Sequence, residues 1–277
     1  MPDLFDLFQK WWKRILSLVA LAIVVTTIVV FIIPKNYLGV ATALPAPDYT
    51  ADKSSVFSQN LQSLYSAFGT PDDLDKILGT ARLDTVYKAV AQKLELIDHY
   101  HIENSSVGLQ KAALRLKEKT RVIKTDYGEL QVKVWDGDKL MAAELANGIM
   151  EKLQQIHQDI QTTNNATILA KINDEYAEKK TEYGKLLDSL SHTNTPELLS
   201  VQKNTLLEQI GQYEKLSNQY TLMVNAKPQV LVIVEKSTPA LYADKPKIIE
   251  TIIAAAVLSF LFGILGALIL ERGKMTV

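Results

Sequence analysis

The chain has 277 residues, 47% of them hydrophobic and 22% charged, with 30 basic against 31 acidic side chains and no cysteine. That balance leaves no field to attract polyanions, so nucleic acid is not an expected partner. The missing cysteine excludes disulfide scaffolds, thiolate metal sites and thiol catalysis.

The apolar residues are concentrated at the two ends. Ile15 to Ile33 form nineteen uncharged positions in a row, long enough to cross a hydrocarbon core of roughly 30 Å. Lys10, Lys13 and Arg14 precede this run, and Trp11 and Trp12 fall at headgroup depth, which predicts a span at 15–33 after a cytoplasmic segment 1–14. A cleaved signal peptide is the rival reading, but the run exceeds a usual h-region, and the A-x-A at Ala41–Ala43 stands well beyond it. Leu4, Phe8, Trp11, Trp12 and Ile15 are spaced as on a helix, so a short helix is expected along the inner membrane face before the span.

A second apolar run, Thr251 to Leu270, is followed by Arg272 and Lys274. It predicts a returning span at 248–270 with a cytoplasmic tail at 271–277, both termini then lying on the cytoplasmic side. Ala255, Ser259, Gly263 and Ala267 recur every fourth residue on it. Such a stripe suits close helix packing, although small residues are also simply common in membrane helices.

Between the spans, residues 34–247 form one nearly neutral outer domain. Tyr37–Leu44 is β-prone and ends at Pro45 and Pro47. Asp52–Phe68 carries Phe57, Leu61, Leu64 and Phe68 at helical offsets, with Gly69 and Pro71 expected to end it. Leu83–Leu94 is the clearest amphipathic helix, through Leu83, Val86, Tyr87, Val90, Ala91 and Leu94. A shorter helix is expected at about 107–117. A hairpin follows, with Val122 and Ile123 on one strand, Leu130, Val132 and Val134 on the other, and Asp126–Gly128 turning between them.

From Leu140 the pattern is helical for roughly fifty residues. Ala142, Ala146, Ile149, Leu153, Ile156, Ile160 and Thr163 trace a seam, and after a slip near Asn165 the rhythm resumes at Leu169, Ile172, Tyr176, Tyr183, Leu186 and Leu190. SHTNT interrupts it, Thr195 and Pro196 start a return helix, and Leu199, Leu206, Ile210, Tyr213, Tyr220 and Val224 continue the seam. The two arms predict a hairpin at about 140–227, about 45 Å or more tall. Val230–Glu235 reads as a strand, and Pro239, Pro246 and Lys247 lead stiffly into the second span.

Chemistry is harder to find. His99 and His101 point to different faces of a helix without a third ligand. Asp136 and Asp138 lack the rest of a calcium loop and serve better as helix starters. Glu175, Glu178 and Glu182 share a face with Lys171, Lys179 and Lys185, as on a solvated helix. No phosphate-binding glycine loop or nucleophile elbow is present. The short tail after Leu270 leaves no room for a sensor's output domain. No catalytic residue, metal site or cofactor is therefore expected.

The layout resembles a family, the Wzz-type chain-length determinants or polysaccharide co-polymerases of bacterial envelopes. The resemblance lies in DLFDLFQKWWKRIL before the first span, YLGVATALPAP after it, the helix ARLDTVYKAVAQKLEL, the strand and helix LQVKVWDGDKLMAAELANGIMEKL with Ala142, Ala143 and Asn147, and STPALYADKPK before the second span. One departure is that Pro239 and Pro246 stand seven apart, where members often carry three close prolines. The resemblance implies an α+β fold, two transmembrane helices flanking a periplasmic domain with a small mixed sheet base and a long antiparallel helical hairpin. It also implies a non-enzymatic inner-membrane protein that forms a homo-oligomer and acts with a polysaccharide polymerase or growing glycan to set the length of O-antigen or a related polymer. A fused kinase is excluded by the missing phosphate loop, and a separate cytoplasmic kinase is not. Two other classes stay open: an envelope tether or adaptor for capsule or exopolysaccharide export, and a membrane-anchored hydrolase.

Overall fold

The computed structural model describes residues 4–46, 71–190 and 196–275. In chain order the elements are α1 (Leu4–Ile32), β1 (Tyr37–Pro45), α2 (Pro71–Thr80), α3 (Asp84–Lys93), α4 (Leu96–His99), α5 (Gly108–Glu118), β2 (Thr120–Lys124), β3 (Leu130–Asp136), α6 (Lys139–Leu190), α7 (Pro196–Ala226), β4 (Leu231–Glu235) and α8 (Ile248–Met275). The fold is mostly helical, with one four-stranded sheet in the order β2-β3-β1-β4. The helix expected at Asp52–Phe68 and the cap Thr195 lie outside the described residues.

The chain divides into two compact units. The first holds the chain up to Gly39, Val134–Glu144 and everything from Thr238 on. Here α1 and α8 each include a 23-residue stretch, Lys10–Ile32 and Ile248–Leu270, long and apolar enough to cross a membrane. Contrary to the expectation of a separate interfacial helix, α1 runs unbroken from Leu4. No glycine or proline interrupts that stretch, so nothing halts propagation into the span. Within the same unit, β1 approaches the first turn of α6 so closely that a Cβ on Gly39 would stand 2.2 Å from the Ala142 carbonyl oxygen. Asp138 caps α6, accepting the Leu140 N–H at 2.8 Å, and Asp136 accepts the Asp138 N–H at 3.0 Å.

The second unit comprises Val40–Lys133 and Leu145–Ser237. Its core is laid down by periodicity. Along α3, Val86, Tyr87, Val90 and Ala91 are buried, and α5 adds Ala112, Ala113 and Leu116. The opening of α6 supplies Leu145, Ile149, Met150 and Leu153. On β3, Leu130 and Val132 alternate inward with outward neighbours. The β2–β3 turn closes with the Thr125 N–H donating to the Glu129 carbonyl at 2.9 Å, and Gly128 takes a left-handed φ of 76°. β1 pairs antiparallel with β4, with a bulge between Thr42 and Ala43.

Pro71 opens α2, a helix not expected from the sequence, because proline suits the first helical position. That helix buries Leu74 and Ile77. Leu83 is not a core residue: it precedes α3 in extended conformation and is 53% exposed.

Glycine substitutions should separate packing from propensity. Gly39→Ala should destabilise the protein by about 1–3 kcal/mol through overpacking. Gly184→Ala and Gly211→Ala, where a Cβ meets nothing within 4 Å, should stabilise it by about 0.5–1 kcal/mol by relieving mid-helix glycine. Thermal melts of the detergent-solubilised chain, followed by circular dichroism, would show opposite signs.

Candidate functional site

In the first unit α1 and α8 pack side by side. Trp11, Ile15 and Ala267 form a buried cluster, with Val19, Ile264 and Leu268 half-buried against it. A Cβ on Gly263 would stand 3.1 Å from Ile15 Cγ2, so the missing side chain is what admits Ile15. Of the small-residue stripe, Ser259 and Ala267 are buried, and Ala255 and Gly263 are half-buried. The Ser259 hydroxyl donates to the Ala256 carbonyl and that of Thr27 to the Ile23 carbonyl, so neither is left unsatisfied among apolar side chains. The opposite faces expose Leu21, Phe31, Ile249 and Phe262, a surface suited to lipid and not to water.

Where the spans meet the rest of this unit, the proline segment is clamped. The Asn36 carbonyl accepts the N–H groups of Asp244 (2.9 Å) and Lys245 (3.2 Å), and the Asn36 N–H donates to the Lys245 carbonyl at 3.0 Å. Trp135 Nε1 donates to Asp244 Oδ2 at 2.7 Å. The Lys245 ammonium lies 4.4 Å from the Trp135 ring centroid. Pro239 is exposed, and Pro246 is half-buried and follows a cis peptide bond. Lys247 meets Glu250 at 3.0 Å in the open, an exposed pair of little energetic weight.

In the second unit a ladder of side-chain amides on α6 fixes the returning chain. Asn147 is bidentate, its Nδ2 donating to the Ser237 carbonyl at 3.0 Å and its Oδ1 accepting the Ser237 N–H at 2.8 Å. Gln154 Oε1 accepts the Leu231 N–H at 3.2 Å. Gln158 Nε2 donates to the carbonyls of Lys227 and Pro228, just past the end of α7. Higher up, the Ser217 hydroxyl donates to Asn173 Oδ1 at 2.7 Å. These pairings run antiparallel, so α6 and α7 form a hairpin.

The seam residues divide accordingly. Ile149, Leu153 and Leu206 are buried, and Ile156, Ile210 and Tyr213 are half-buried. Ile160, placed on the seam by its spacing, is 51% exposed, while Asn165 is buried. The reason is the amide ladder: with Gln154 and Gln158 turned to the returning chain, the Ile160 face turns away. Val201, Leu207 and Leu222 are likewise exposed on α7. The hairpin thus carries apolar side chains that its own partner helix does not cover.

Glu175, Glu178 and Glu182 are exposed, and Lys179 holds Glu182 at 2.8 Å, which raises the lysine's pKa. His101 is exposed, and His99 lies against Tyr100. Among the described residues no group of three or more acidic or histidine side chains could hold a metal. An open cleft of about 560 Å³ between α2, α3 and β2 is lined by Arg82, Lys117, Arg121 and Lys124. Lys117 reaches Asp84 at 2.6 Å and lowers that carboxyl's pKa, and Lys124 reaches Asp75 at 3.3 Å. Sequence reasoning passed over His157, whose Nε2 lies 2.9 Å from Thr80 Oγ1.

No protein-family model matches the chain, and no curated protein matches it. Among solved structures, a full-length bacterial polysaccharide co-polymerase aligns over 100% of this chain and 98% of its own, at 15% identity and a TM-score of 0.46. A fragment of WzzB, a polysaccharide co-polymerase from Salmonella Typhimurium, aligns over 76% of this chain and 100% of its own, at 12% identity and a TM-score of 0.28. The chain is similar to both.

Two outcomes test the geometry of the second unit. Asn147→Leu strands a backbone donor and acceptor at Ser237, so it should cost about 1–3 kcal/mol. Ser237→Ala removes a buried hydroxyl that has no partner among the described residues and should be close to neutral. The pKa of His157 is lowered, by burial first and then by Lys76. The unfolded chain therefore takes up this proton more readily than the folded one, so stability present above about pH 6.5 declines as pH falls toward the folded value. His157→Gln should flatten that slope in melts taken between pH 7 and pH 5.

Proposed function

We propose that this chain is a non-enzymatic inner-membrane co-polymerase, which regulates the length of a surface polysaccharide such as O-antigen by forming a periplasmic homo-oligomer that acts with a membrane polymerase. The observation that carries the oligomer is the uncovered apolar surface of the hairpin: Ile160, Val201, Leu207 and Leu222 are all exposed, and such a surface is buried when copies assemble side by side. The sequence resemblance supplies the function. The order of its pieces agrees with the order of elements from α1 through β1, α3, β3 and α6 to the clamped proline segment.

In this reading both termini are cytoplasmic, as the basic residues beside each span favour. The chain between the spans is periplasmic. It has no turnover of its own and acts by holding a polymerase or its growing glycan at an assembled surface. A separate cytoplasmic kinase could regulate such an assembly.

Val201→Asp with Leu222→Asp should shift the detergent-solubilised protein from oligomer to monomer in light scattering, with the circular dichroism spectrum unchanged because both side chains are exposed on the single chain. In a strain lacking the chain, the electrophoretic ladder of surface polysaccharide should lose its mode. The wild-type chain should restore that mode and the double variant should not. An unchanged mode with less total polymer would instead identify an export adaptor.

A further inference from the structure

Leu241 and Tyr242 are 88% and 85% exposed, yet the segment bearing them is tied down just beyond them. Asp244 and Lys245 are hydrogen-bonded to Asn36, Asp244 also to Trp135, and Lys245 lies over that ring. A large apolar pair presented on a fixed loop is not the signature of a solvated linker.

The position of the loop names what covers it. Asn36 stands four residues past Ile32, the last of α1, and Asp244 two residues past Tyr242, each residue reaching at most about 3.6 Å. Through the Asn36–Asp244 pairing, about 5 Å wide, Tyr242 therefore lies within about 27 Å of the end of α1. On its other side, Lys247 leads directly into α8, whose first residues Ile248 and Ile249 are exposed apolar side chains. Tyr242 thus stands six residues before the point at which the outward apolar surface of α8 begins. Charge agrees: Lys35 and Lys245 are exposed, while nearby Asp244 is bonded to Trp135 and Glu250 to Lys247. Tyrosine and lysine are the residues that settle at the level of lipid headgroups.

We propose that residues 238–247 form a third membrane contact, with Leu241 and Tyr242 inserted into the outer-leaflet interface and Lys35 and Lys245 facing lipid phosphates. This contact depends on α1 and α8 crossing a bilayer, and its assignment to the outer leaflet rests on the cytoplasmic termini proposed above. It is independent of the polysaccharide reading, and the polymer ladder does not bear on it.

Because the chain has no cysteine, Leu241→Cys and Tyr242→Cys each offer a unique site for a nitroxide label in the full-length protein. In vesicles of phosphatidylethanolamine and phosphatidylglycerol, the label should collide with oxygen severalfold more, relative to a water-soluble nickel chelate, than one at Tyr127→Cys in the exposed β2–β3 turn. A label at Ala243→Cys should move toward water when Leu241→Asp and Tyr242→Asp are added, which guards against insertion driven by the label itself. Ratios at 241 and 242 equal to that at 127 would overturn the proposal. So would labels shielded from both reagents, since a protein surface would then cover the loop.

Discussion

The close approach of α1 and α8 is the contact on which everything else rests. In lipid there is no hydrophobic force to drive two apolar helices together, so steric fit and dispersion decide. Gly263 provides that fit by leaving room for Ile15, and Trp11 and Ala267 extend it by about a turn. A larger residue at 263 would separate the helices without altering their hydrophobicity. Composition explains why each helix can enter a membrane. The one absent side chain explains why they pair.

Beyond the spans, two kinds of specification are at work. The core of the second unit is set by periodicity, which buries Val86, Val90, Leu116, Ile149 and Leu153. The hairpin is set by something else. Asn147, Gln154, Gln158 and Asn173 each engage a particular group of the returning chain, and amides impose register where apolar packing tolerates slippage. Some apolar residues, Ile160, Val201, Leu207 and Leu222 among them, remain on its surface.

This division also marks where sequence was informative. The faces of α3 and α5, the β2–β3 hairpin with Gly128 at its turn, and the full run of α6 follow from local patterns of period 3.6 or 2. Pro71 was ambiguous because proline both follows and begins helices, and no local rule chooses between them. Ile160 misled for a different reason: spacing identifies a face but not its partner, and the partner was fixed by Gln154 and Gln158, whose side chains carry no periodic signal. Likewise the need for glycine at 39 arises from the Ala142 carbonyl, a contact across a hundred residues of chain.

The hydrogen bonds between Asn36 and Asp244–Lys245 have a consequence for how the outer chain folds. They join the exit of α1 to the approach of α8, so the long intervening segment is a loop whose two ends already lie side by side once the helices have paired in the bilayer. Wherever the helices pair first, the entropy of bringing distant ends together is lost before any strand forms. β1 and β4, which come from opposite ends of that loop, start their search as near neighbours. Severed from its helices, the same polypeptide would have to find that pairing from an open coil, and the sheet would be the first part to suffer.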